Sequence, residues 1–172
     1  MMIKKTTLSE KSIYYGEVKM PKGFEIEKDE LVKNITLSNY YENVEYPFSI
    51  AFDKVKTFVS DFMRLEHKCN LTTTKIFGNF YERNETSDPK LQIDIKNLNE
   101  SPDFVLLYGV EIEPKTCEVV IYYDDNRRKG KVFNFILEKD NFIMFPSSQL
   151  YYVKNNKNSY LNFIQTILFT YR

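Results

Sequence analysis

Phe104-Val105-Leu106-Leu107-Tyr108-Gly109-Val110-Glu111-Ile112, then Pro114-Lys115, then Glu118-Val119-Val120-Ile121-Tyr122-Tyr123 is the stretch that decides the fold. Two short runs of β-branched and aromatic residues flank a pair of turn residues, which reads as two strands rather than a helix. The same rhythm extends both ways. Residues 72–81 and 91–95 precede it, and residues 131–137, 142–145, 150–153 and 160–171 follow it. The breaks between them, such as 84–89, 97–102, 124–130 and 146–148, are rich in Asn, Asp, Ser, Gly and Pro, the residues that supply turn geometry. Eight such runs in about a hundred residues predict a mainly β chain, a two-sheet sandwich or jelly roll.

Upstream the period changes. Val55, Phe58, Val59, Phe62 and Met63 recur at spacings of three and four, the stripe of an amphipathic helix over 48–66 with a sheet as its partner. Pro47 stands in the first turn, where a missing N–H is harmless. Residues 12–20 read as a strand and 28–35 as a short helix or irregular arm. The chain thus divides into an N-terminal arm, 1–46, and a helix plus jelly roll, 47–172, within one structural domain.

Composition narrows the function. With 24 basic and 24 acidic residues in 172, the net charge is zero, so no field gathers nucleic acid or an anionic membrane. Neither is expected as a partner. No stretch reaches the ~20 apolar residues of a membrane span. Residues 1–12 hold lysines without an apolar run behind them, so the expected location is the cytoplasm in which the chain is made. The two cysteines, Cys69 and Cys117, lack metal-ligand spacing and read as free thiols. Abundant Lys, Asn, Ile, Tyr and Phe, with a single alanine and no tryptophan, imply an AT-rich gene.

The run Phe142-Ile143-Met144-Phe145-Pro146-Ser147, followed by Leu150-Tyr151-Tyr152-Val153 and a last strand, resembles the end of the jelly-roll core of 2-oxoglutarate and iron(II)-dependent oxygenases. The resemblance is greatest to the prolyl-hydroxylase-like proteins of marine tailed phages, and it spans residues 70–172. It implies a double-stranded β-helix with three features: a metal-binding histidine shortly after Phe-Pro-Ser, a cosubstrate-holding arginine on the last strand, and a His-x-Asp ahead of the central strand. The first position falls near Tyr151, the second near Asn162 or Phe163, and the third within 96–104, where there is no histidine. A facial triad needs two imidazoles, and this chain has one histidine, His67. Its place at a helix end beside Lys68 suits the helix dipole.

Other chemistries find little support. His67 and Cys69 are sequence neighbours, and no Gly-x-Ser-x-Gly elbow or glycine-rich phosphate loop occurs. Asp124 and Asp125 read as a strand-ending turn. The chain is therefore expected to be no enzyme and to carry no catalytic residue, cofactor or metal, with Tyr151 marking the altered site. The adjacent pairs Tyr14-Tyr15, Tyr40-Tyr41, Tyr122-Tyr123 and Tyr151-Tyr152 should each send one ring outward where they lie in strands. Outward tyrosines favour protein interfaces, so Tyr123, Tyr152, Arg127 and Arg128 are the expected partner contacts. The role that follows is structural: an assembly protein of a phage virion (neck, tail or capsid-associated), homo-oligomeric or bound to sibling proteins. A ligand-binding or regulatory jelly roll, and an oxygenase of unusual ligation, are the alternatives.

Overall fold

The computed structural model describes residues 11–41, 50–123, 130–156 and 161–171, with the side chains of 50–52 excepted. Pro47, Asp124, Asp125, Arg127 and Arg128 lie outside the described residues. Along the chain come β1 (Tyr14–Glu17), α1 (Lys28–Tyr40), α2 (Ile50–His67), β2 (Leu71–Glu82), β3 (Phe104–Glu111), β4 (Cys117–Tyr122), β5 (Val132–Leu137), β6 (Asn141–Pro146), β7 (Tyr151–Asn155) and β8 (Leu161–Tyr171). A five-stranded sheet has the order β1-β6-β3-β8-β2, and a three-stranded sheet the order β5-β4-β7. Every pairing is antiparallel. This is the jelly roll read from the sequence.

Two apolar layers hold it. Val105, Leu107, Val119, Ile121, Phe145 and Ile164 pack between the sheets. Leu106, Tyr108, Met144 and Ile167 point from the other face of the five-stranded sheet toward the helices, where Leu31, Ile35, Val55, Val59 and Met63 meet them. Covered on both faces, β3 and β8 are buried almost without interruption, whereas burial alternates along β5 and β7. The stripe predicted for α2 buries Val55, Val59 and Met63 but leaves Phe62 and Leu65 exposed. The helix stops where Lys68 turns left-handed (φ 56). There Cys69 N donates to Met63 O at 3.1 Å, closing the helix end over the left-handed residue.

One predicted strand is absent. Residues 91–95 alternate in sequence, yet Leu91 is exposed and Ile95 is 74% exposed. Asp94 bends the chain instead, its carboxylate accepting from Lys96 N at 2.8 Å and its own N–H donating to Ser101 Oγ at 2.7 Å. The edge of the small sheet is taken up by the stretch before it, through Thr86 opposite Lys154 and Lys90 opposite Tyr151. Pro89, which reads as a turn, is tolerated there because an edge needs no N–H on its open side.

The sheets are joined at the β5–β6 turn. Asp140 adopts φ 64, its N–H donates to Gly109 O at 2.9 Å and its carbonyl accepts from Val18 N at 2.8 Å. Its carboxylate takes Tyr108 OH at 2.9 Å and Lys28 Nζ at 2.5 Å. At Gly109 a Cβ would lie 2.2 Å from Glu138 O. Gly109→Ala must push strand from turn, and a loss of about 3 kcal/mol is expected in urea unfolding. A second site works the other way. Both amide atoms of Gln165, buried on β8 opposite Tyr108 and Gly78, lack a hydrogen-bond partner. Gln165→Met should therefore raise the unfolding free energy by roughly 1 kcal/mol.

Candidate functional site

The position singled out by the sequence lies at one mouth of the barrel. After β6, Ser147 pins the turn to the start of β3: its N–H donates to Asp103 O at 2.9 Å and its hydroxyl to Pro102 O. Gln149 N closes the turn on Pro146 O at 3.0 Å. Tyr151 then exchanges backbone hydrogen bonds with Lys90 at 3.1 and 2.7 Å, which aims its side chain between the sheets. Only 2% of Tyr151 is exposed. Its ring meets Phe145 edge-on at 5.0 Å, and its hydroxyl accepts from Gln92 Nε2 at 3.1 Å.

Beside it stands a second polar pair. Lys90 Nζ donates to Tyr81 OH at 3.1 Å and sits 5.4 Å from that ring's centre, a cation–π arrangement. Burial holds the Lys90 amine below its ordinary pKa, against the opposing pull of Glu85 and Asp88. Burial raises the phenols of Tyr81 and Tyr151, that of Tyr151 to about 12. The residues against Tyr151 are thus Lys90 and Gln92, not members of 96–104. Sequence reasoning missed both: Lys90 follows 84–89, which reads as a turn, and Gln92 falls within the strand expected at 91–95.

The far end of the barrel is closed by amides. Asn162, fully buried, donates to Asn155 Oδ1 at 2.7 Å and Thr116 Oγ1 at 3.0 Å, and accepts from Glu113 N at 3.1 Å. Asn155 continues to Tyr81 O and Glu82 O at 2.8 and 3.0 Å. Phe163 faces the other way, into the helix layer against Phe80 at 5.9 Å. His67 is on the same side of the sheet, exposed at the end of α2. Its ring lies 4.8 Å from Tyr14 and 5.4 Å from Phe62, and the five-stranded sheet separates it from Tyr151.

The other expected contacts sit outside. Tyr152 points outward and its ring lies 6.0 Å from that of Tyr122. Tyr122 and Tyr123 are both exposed, because Tyr123 follows the last residue of β4. Tyr15 is exposed too but covers Phe133 and Phe135 at 6.4 and 5.3 Å, closing the seam between β1 and β5.

No protein-family model matches the sequence, and no curated protein does. Solved structures do. The non-heme α-ketoglutarate-dependent epimerase SnoN of nogalamycin biosynthesis aligns at 7% identity over 93% of this chain and 78% of its own, with a TM-score of 0.66. A Pseudomonas putida prolyl-4-hydroxylase aligns at 9% over 93% and 88%, TM-score 0.64. A Trichoplax adhaerens prolyl hydroxylase, solved with a hypoxia inducible factor peptide, aligns at 13% over 92% and 83%, TM-score 0.58. The chain has the double-stranded β-helix fold of 2-oxoglutarate/iron(II) oxygenases.

These neighbours correct the expectation that the chain is no enzyme. They are enzymes, and counting histidines excludes one set of iron ligands, not catalysis as such. The residues present nonetheless do not fit an iron held by two histidines and a carboxylate. Tyr151 and Gln92 occupy the mouth bonded to each other, His67 is across a sheet, and no cluster of three metal-ligating side chains occurs among the described residues.

The interior acids set a pH dependence. Burial raises the Cys117 thiol to about 12 from 9.0, and Tyr151 to about 12 from 10.0. Both bind protons more tightly folded than unfolded, so their contribution to stability is whole below pH 9.0 and 10.0 and is lost toward pH 12. Circular dichroism should show unfolding in that window, with phenolate absorbance of the buried tyrosines rising alongside it. Tyr151→Phe should lose about 1 kcal/mol at neutral pH by stranding Gln92, and lose less on further alkalisation. A stability flat to pH 12 contradicts the assignment.

Proposed function

We propose that the chain works as a protein-interaction module in an assembly, offering a partner the outer face of its small sheet. The observation that carries this reading is the Tyr122–Tyr152 pair, two outward rings 6.0 Å apart. Tyr123, Val132 and Ile136 are exposed nearby. Rigid aromatic area of this kind supplies contact at small entropic cost. Among the described residues no helix covers this face, whereas both helices pack on the five-stranded sheet. A phage virion is the setting we assign to the assembly, and the composition of an AT-rich gene supports it. The expected outcome is that the tagged chain, purified from its native source, brings down another protein in fixed ratio. Tyr122→Ser/Tyr152→Ser should lose that partner by at least about tenfold while keeping its thermal midpoint. A partner held equally by both chains removes the reading.

A second reading, catalysis at the barrel mouth, is favoured by the enzymatic neighbours together with the buried Lys90 amine on Tyr81 OH. Oxygen uptake and 2-oxoglutarate consumption with added iron(II), abolished by Lys90→Met, would support it. Rates equal to a blank without protein would not.

A further inference from the structure

Among the described residues there are four sheet edges, and three are guarded. Strand β1 is four residues long and ends on Glu17, ion-paired with Lys19 at 3.0 Å. Strand β2 carries a register shift between Thr73 and Lys75, and Asn39 Nδ2 of α1 donates to its Gly78 carbonyl at 2.8 Å. Strand β7 is bridged by Thr86 and Lys90. Short length, bulges, charge and cover are the ordinary protections of an edge. Among the described residues strand β5 has no charge, no register shift and no group bonded to its outer edge. Val132-Phe133-Asn134-Phe135-Ile136-Leu137 is six residues without a charge or a register shift.

Its free hydrogen-bonding groups can be named. Tyr123 N donates to Lys131 O at 3.1 Å, which sets the antiparallel alternation. Phe133, Phe135 and Leu137 exchange bonds with Ile121, Val119 and Cys117. The N–H and C=O groups of Val132, Asn134 and Ile136 therefore point away from β4, and no described residue bonds to them. Inside, Phe133 and Phe135 are held by the barrel and by Tyr15. Outside, the side chains of Val132 and Ile136 are 44% and 43% exposed.

We infer that this edge pairs with β5 of a second copy of the chain, across a two-fold axis at Asn134, so that two small sheets become one of six strands. This deepens the reading of that sheet as the partner face and rests on it. The sequence of the edge is complementary to itself in the antiparallel sense. Val132 falls opposite Ile136 of the second copy, apolar against apolar, and Asn134 opposite its own equivalent. With zero net charge, two copies approach without long-range repulsion. An isologous pair of this kind also closes, leaving no further β5 edge to extend a fibre.

Analytical ultracentrifugation of the full chain tests this. The wild type should sediment at twice 20.6 kDa. Asn134→Lys and Asn134→Glu, each placing like charges on the axis, should sediment at 20.6 kDa, and an equimolar mixture of the two should return to the doubled mass. Ile136→Lys, off the axis, should also be monomeric. A monomeric wild type, a dimer indifferent to these variants, or a mixture that stays monomeric overturns the inference. None of those results touches the broader reading, which fails only if a partner held in fixed ratio is indifferent to Tyr122 and Tyr152.

Discussion

Gly109 and the β5–β6 turn meet where β3 passes under it: Asp140 N–H bonds the Gly109 carbonyl, and Glu138 O lies so close that no Cβ fits at Gly109. The turn is also where the chain leaves the small sheet and enters the large one, so one close approach fixes how the two sheets face. Asp140 converts that approach into a junction of four segments. It anchors Gly109 through its N–H, the end of β1 through its carbonyl, and Tyr108 and the first residue of α1 through its carboxylate. The register of β6 on β3 starts there, with Tyr108 opposite Phe142, and runs to Phe104 opposite Pro146. The mouth inherits its geometry from this register, because Phe145 and the turn that delivers Tyr151 stand at the far end of the same pairing.

Between junction and mouth the barrel is filled by aliphatic and aromatic side chains. A dry interior of that kind tolerates polar groups only in satisfied sets, and two such sets occur, one at each end. At the mouth Lys90 pairs with Tyr81 and Gln92 with Tyr151; at the closed end Asn162, Asn155 and Thr116 pair with one another and with strand-end backbone. Lys90 is the charged member, and its depressed pKa records the burial it endures. Gln165 is the exception to the rule of satisfied sets, and it lies on the helix side of the sheet rather than in the barrel.

Much of this was legible beforehand, for identifiable reasons. Strands covered on both faces announce themselves as apolar runs, and β3, β6 and β8 were read within two residues of their ends. The stripe of α2 was equally plain. What misled was alternation without burial: Leu91, Ile93 and Ile95 have the period of a strand, but the side chains of Asp94 and Ser101 bend the backbone first. That error carried into the site, since the segment that really lines the mouth, Lys90 to Gln92, follows a proline that reads as a turn. Period two alone sends one ring of Tyr151-Tyr152 inward and one outward; that Tyr151 is the inward one came from the resemblance. The Asp140 junction was not legible, because its bonds reach from Asp140 to Lys28 and Tyr108, and no local pattern records them.

The position of β8 governs how the chain can acquire this form. The last strand in sequence lies in the middle of the large sheet, between β3 and β2, with Leu71 opposite Tyr171. Strands β2 and β3 have no direct pairing with each other, so each keeps an unfilled apolar side until residues 161–171 leave the ribosome. Contacts so distant in sequence are slow to form, and the waiting intermediate exposes surface on which chains aggregate. The large sheet therefore closes only once residues 161–171 insert between β2 and β3, so its folding waits on pairings distant in sequence.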